Sequence, residues 1–151
     1  MMTDANDTSL KITMLKKQAC FSLLTDKETD ALASLLAERH FAAGETIVKE
    51  GDPVDSVYLI LSGKAEVRRI RIENNAPRTE SLATLGPADA IGLNETGFYS
   101  ISGVRTATVV ALTDVVTFSL GVAAFHGFAL AYPHVNEVMR KNAEQFLKVK
   151  S

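Results

Sequence analysis

Between Phe41 and Leu120 no apolar segment runs longer than nine residues, and glycine, proline or paired asparagines separate most of them. The interruptions fall at Gly44, Gly51 with Asp52-Pro53, Gly63, Asn74-Asn75, Gly86-Pro87 and Gly92. Between them lie I-V-K at 47–49, V-Y-L-I-L at 57–61, A-E-V-R-R-I-R-I at 65–72, S-L-A-T-L at 81–85, V-R-T-A-T-V-V-A-L at 104–112 and V-V-T-F-S-L at 115–120. Segments this short and this evenly punctuated leave no room for long helices and predict an all-β barrel or sandwich. Segment 65–72 changes phase: Ala65 and Val67 share one parity, Ile70 and Ile72 the other. A bulge or break near Arg68-Arg69 would reconcile them.

Helical signals flank this region. T-D-K-E at 25–28 has the spacing of a capping box, with Thr25 as N-cap and Glu28 reaching back. Ala31, Leu32, Leu35 and Leu36 follow on one face, predicting a helix to about Arg39. A short helix over Met14 to Cys20 precedes it. Residues 1–11 are polar and without period, and are expected to be a disordered lead. After Leu120 the helical period returns over 122–130. Pro133 disfavours helical geometry at Tyr132, which predicts a break there. Val135, Val138, Met139, Asn142, Phe146 and Val149 then form an apolar stripe, interrupted once, on a last helix. The expected domain is 12–151, with N-terminal helices over 14–39, a β region over 41–120 and C-terminal helices over 122–149.

Composition narrows the function classes. A chain of 151 residues is expected to fold as one domain. Its net charge of −2 argues against general nucleic-acid binding. Lysines and arginines near the C-terminus alternate with Glu137 and Glu144, as on a solvated helix face. Cys20 is the single cysteine, so no intrachain disulfide forms and a reducing compartment fits. The N-terminus lacks signal-peptide character, and no run reaches the roughly 18 apolar residues of a membrane helix. These features predict a cytoplasmic protein with neither membrane nor nucleic acid among its partners. His40, His126 and His134 are scattered without metal-ligand spacing, Cys20 has no nucleophile signature around it, and no nucleotide-loop, hydrolase or zinc-protease motif occurs. No enzyme activity, metal or cofactor is expected.

The residue that needs a partner is Arg105. If 104–112 is a strand, Arg105 shares a face with Ala107, Val109 and Ala111, a small apolar face that points inward. A buried guanidinium stays charged and is costly without an anion. An internal carboxylate or a ligand phosphate would each satisfy it; arginine's planar fork suits phosphate well.

The stretch A-G-E-T-I-V-K-E-G-D-P-V-D-S-V-Y-L-I-L-S-G-K-A-E-V at 43–67 resembles the cyclic-nucleotide-binding domain family, with its G-E-x-I-x-x-E-G-D followed by Y-x-I-x-x-G. Leu85-Gly86-Pro87-Ala88-Asp89 is similar to that family's L-G-P-G-D. Arg105-Thr106-Ala107-Thr108-Val109 is similar to its R-T/S-A-x-V, and Tyr132-Pro133 to the Y-P before its last helix. The resemblance covers about residues 14–140. It implies a mainly β fold with flanking helices: a jelly-roll-like β-roll, or double-stranded β-helix. It also implies a regulatory sensor of cAMP or cGMP whose C-terminal helices close over the base, with Arg105 on the phosphate and Thr106 and Ala107 beside it.

The family's ribose-binding glutamate directly follows a glycine, whereas Gly92 here is followed by Leu93. Either the loop carries two extra residues and Asn94-Glu95 stands for the usual pair, or the pocket is degenerate and the chain is an interaction module that no longer binds nucleotide. Only about 18 residues follow Pro133, too few for the helix-turn-helix of catabolite-activator relatives. A stand-alone domain is therefore expected, acting on an effector protein in trans or as a homodimer along the last helix.

Overall fold

The structure is a computed structural model; it describes the backbone of residues 3–94, 97–98 and 103–150 and the side chains of 8–93, 103–142 and 144. Two four-stranded antiparallel sheets form a β-roll. One orders its strands β1 (Ala37–Phe41), β10 (Val115–Gly121), β3 (Ser56–Ser62) and β6 (Ala90–Ile91). The other runs β2 (Thr46–Val48), β9 (Thr108–Ala111), β4 (Ala65–Glu73) and β5 (Ala76–Leu85). A two-stranded ribbon, β7 (Leu93–Asn94) with β8 (Gly97–Phe98), lies between β6 and β9 in the chain. Helices α1 (Thr3–Lys16) and α2 (Asp26–Ala33), with a 3-10 turn at Ala19–Phe21, precede the roll. Helices α3 (Val122–Ala131) and α4 (Pro133–Lys150) follow it.

Strand β3 divides the apolar interior in two. Side chains alternate across a strand. Tyr58 and Ile60 enter the roll with Phe41, Ile47, Val109 and Val115. Val57 and Leu59 face the other way, onto Leu15, Phe21, Leu32, Phe125 and Val135 of the helical segments. All four β3 residues are at most 6% exposed, which is why V-Y-L-I reads as a continuous apolar run.

The capping box forms as the sequence predicts: Thr25 Oγ1 accepts from Glu28 N at 3.1 Å, and Glu28 Oε1 accepts from Thr25 N at 2.8 Å. The helix ends at Ala33, short of Arg39. Residues 37–41 pair along their whole length with β10, Ala37 opposite Ser119 through Phe41 opposite Val115. Their backbone hydrogen bonds go to a sheet edge, which overrides a local apolar period. Where disorder is expected over 1–11, the described part is helical, Thr3–Lys16 forming α1. Its apolar anchors, Ile12, Met14 and Leu15, sit in the last turns and pack on the helical core. Once that end is fixed, extension backwards costs far less than nucleation, so the polar residues carry no stripe to read.

The expected bulge near Arg68-Arg69 does not form on β4: the register shift between Val67 and Arg68 arises from an extra residue on the opposite strand, Leu82 of β5. Strand β4 keeps its own alternation throughout. Ile70 and Ile72 therefore stay on the outer face, 60% and 72% exposed, instead of joining Ala65 and Val67 inside. The hairpin turns at Asn74 and Asn75, both at positive φ (52° and 62°), as a two-residue primed turn requires.

At the C-terminal side Tyr132 leaves helical geometry (φ −126°, ψ 87°) and Pro133 opens α4. The start of α4 is tied back to the start of α2: His134 Nδ1 lies 2.8 and 3.0 Å from the two oxygens of buried Glu28. Further along, Asn142 Nδ2 donates to the Cys20 carbonyl at 3.1 Å. Burial pushes the Glu28 carboxyl up, but the Thr25 N–H and His134 more than offset it and hold it below the ordinary carboxylate range. A carboxylate depressed on folding stabilises above its unfolded pKa, and that contribution is lost as pH falls through the lower folded value. Thermal unfolding followed between pH 6 and the acid limit is expected to show this loss in the wild type and a flatter profile in Glu28→Gln. At neutral pH the variant is expected to be less stable by about 1–3 kcal/mol.

Candidate functional site

The turn at Glu50–Val54 builds the site by clamping the segment that carries Arg105. Gly51 N donates to Arg105 O at 2.9 Å, Arg105 N to Asp52 O at 2.8 Å, and Val54 N to Gly103 O at 2.7 Å. Pro53 and Val104 form a bridge, and Glu50 N donates to Thr108 Oγ1 at 2.9 Å. Gly51 holds φ +90°, a conformation that side chains disfavour. The sequence shows this turn plainly, but not that its backbone fastens residues 103–105. Strand β9 accordingly starts at Thr108, later than expected, because 103–105 pair with a turn instead of a sheet neighbour. The expected parity survives: Arg105, Val109 and Ala111 are buried and Ala107 is half-buried.

Arg105 is 8% exposed. Its Nη2 donates to the Ser56 carbonyl at 2.5 Å and lies 3.9 Å from Asp55 Oδ1, whose side chain is 86% exposed. Among the described residues no carboxylate forms the forked pair a buried guanidinium favours. Burial pulls the Arg105 guanidinium below its ordinary value, opposed by Tyr58, Asp55 and Asp52. The side chain carries a charge whose desolvation the protein offsets only in part.

Beside it lies a cavity of about 260 Å³. Arg105, Thr106 and Ala107 line one wall and Gly92 and Leu93 another, so the structure brings three of the sequence-predicted site residues together. Thr106 is exposed. Gly92 is required by close approach: at φ +94°, a Cβ there would stand 2.9 Å from Val57 Cγ1 and 3.1 Å from Arg105 Nη1. Leu93 lines the cavity and also packs against the helical core. Asn94 pairs with Gly97 across the β7–β8 ribbon. Its side chain and the whole of Glu95 lie outside the described residues. Arg69, which the sequence reading passed over, also lines the cavity, together with Val67 and Leu82. The only signal for it was its parity with Val67.

Other chemistry-bearing residues sit elsewhere. Cys20 is fully buried and burial pushes its thiol up to about 12, opposite to the thiolate a nucleophile needs. His40 pairs with Glu38 on the surface and His134 with Glu28. Among the described residues no cluster of three His, Cys, Asp or Glu is placed to hold a metal. The native protein is expected to react with a thiol reagent only after unfolding. Gly92→Ala is expected to lower stability by about 1–3 kcal/mol through strain at positive φ and overpacking, and its crystal structure should show Arg105 displaced.

The sequence profile of the cyclic nucleotide-binding domain matches residues 38–132. A CRP-like cAMP-activated global transcriptional regulator of Mycobacterium tuberculosis is 29% identical over 126 residues, 82% of this chain and 53% of that protein. A cAMP-dependent protein kinase regulatory subunit of Colletotrichum orbiculare is 33% identical over 115 residues, 74% of this chain and 26% of that protein. This chain thus spans about half the length of the first relative and a quarter of the second. Among solved structures, the N-terminal domain of a transcriptional regulator from Streptomyces coelicolor superposes with a TM-score of 0.76 at 28% identity, covering 91% of this chain and 92% of that one.

Proposed function

The chain belongs to the cyclic nucleotide-binding domain family, and from that premise we propose that the cavity beside Arg105 receives cAMP or cGMP and that occupancy is passed to the C-terminal helices. The observation that carries this reading is the buried Arg105 guanidinium, held by backbone at the edge of a cavity without a forked carboxylate partner among the described residues. A cyclic phosphate supplies the missing anion and suits arginine's planar donors. Thr106 and Ala107 line the same wall and flank the phosphate; Glu95, with Asn94 before it, takes the ribose hydroxyl.

The output follows from the connection between pocket and helices. Leu93 touches both the cavity and the helical core, and the chain breaks at Tyr132-Pro133. A ligand that binds better when the last helices close shifts the protein toward that state by its difference in affinity. The closed helices then present a changed surface to an effector protein, or to a second copy along α4. The reading assigns no turnover, so cAMP and cGMP should be recovered intact after long incubation.

Leu93 favours a second reading, in which the fold persists as an interaction module and the pocket takes no nucleotide. Titration calorimetry decides between them. We expect saturable heat with at least one of cAMP and cGMP; silence with both at near-millimolar ligand would sink the sensor reading. Arg105→Ala should weaken binding by about 3 kcal/mol, roughly a hundredfold, as expected for truncating one side of a buried charge pair. Glu95→Ala should cost about 1.5–3 kcal/mol, the range for a hydrogen bond to a charged group.

A further inference from the structure

Two charged side chains line the cavity, Arg105 and Arg69, and no acidic side chain is among its described lining residues. The rest of the wall is almost wholly apolar, with Val67, Leu82, Leu85 and Ile91 among its members. A ligand that satisfies both arginines must therefore offer an acceptor to each and apolar surface to the rest of the wall.

Arg69 is placed there by the strand. It follows Val67 on the inward row of β4, and Glu80 faces it across the β5 pairing. Its Nη2 is 3.7 Å from Glu80 Oε2, too far for a good hydrogen bond. Glu80 is held more closely by Arg71, whose Nη1 donates to Oε1 at 3.1 Å. Arg69 is 48% exposed and its fork is not consumed by that carboxylate.

We propose that Arg69 reads the outer edge of the ligand's base and makes the site selective for a guanine over an adenine cyclic nucleotide. This rests on the reading above that the cavity takes a cyclic nucleotide with its phosphate at Arg105. In such a ligand the base projects from the ribose away from the phosphate, so with the phosphate at Arg105 the base is the part left to meet Arg69. A guanidinium only donates. Guanine shows it two adjacent acceptors, N7 and O6, which a forked donor meets together. Adenine shows N7 beside an amino group, so one arm of the fork faces a donor.

The test uses cAMP and cGMP as probes on the wild type, Arg69→Ala and Arg69→Lys, with affinities from calorimetry. The wild type should bind cGMP about tenfold more tightly than cAMP, the discrimination of a bidentate arginine contact. Arg69→Ala should lose that preference through cGMP alone, with cAMP affinity kept within about twofold, which also certifies its fold. If the alanine variant binds neither probe, Arg69→Lys decides: it keeps the charge without the fork and should bind both probes nearly equally. Equal wild-type affinities, a preference for cAMP, or a guanine preference that survives in both variants overturns the assignment to Arg69 while leaving nucleotide binding intact. Binding of neither probe by the wild type overturns the underlying reading and this one with it.

Discussion

Strand β3 is buried on both faces, and the rest of the molecule is arranged around that fact. One face closes the roll and the other floors the helical core. The candidate site is fastened to the same strand: Arg105 donates to the carbonyl of Ser56, the residue before Val57, and Gly92 rests against Val57 itself. A strand with no free face has nowhere to slide, because moving it by one residue would exchange its two sets of side chains. Leu59 illustrates the cost of disturbing it, since truncating a buried leucine loses about 2–5 kcal/mol. The guanidinium is thus held by a strand buried on both faces, although it projects from an irregular segment.

Legibility of the sequence tracks how local each feature's cause is. The Thr25–Glu28 box, the break before Pro133 and the short strand at 57–61 depend on residues within one or two turns of each other, and each forms where the sequence places it. Helix α1 and strand β1 depend on distant partners. The first is anchored by Met14 and Leu15 on a core assembled from the whole chain, the second by five residue pairs with β10, over seventy positions away. Neither leaves a periodic trace. The site divides the same way. Arg105 was readable because a charge at the head of an apolar run is anomalous anywhere. The clamp that holds it, from Gly51 and Asp52, and the contribution of Arg69 from β4 are long-range placements that no local pattern encodes.

Composition and site electrostatics point in opposite directions. The chain as a whole carries a net charge of −2, yet the cavity's charged lining is two arginines. Overall charge governs solubility and non-specific association; the local field at a concave, partly dry site is set by the few groups that face it. A small excess of negative charge over the whole chain therefore does not prevent the cavity itself from presenting a positive local field.

The unbroken alternation of β4 has a consequence for how this sequence can drift. Because the inserted residue lies on β5 and not on β4, the hairpin keeps two separate ledgers of side chains. The row carrying Glu66, Arg68, Ile70 and Ile72 faces away from the cavity, and the row carrying Val67 and Arg69 faces it. Substitutions on the outer row can accumulate under selection for surface properties alone. A change in the inner row alters the cavity wall while leaving the roll's pairing intact, so the shape and charge of that cavity can diverge among descendants through a single position without any change of fold.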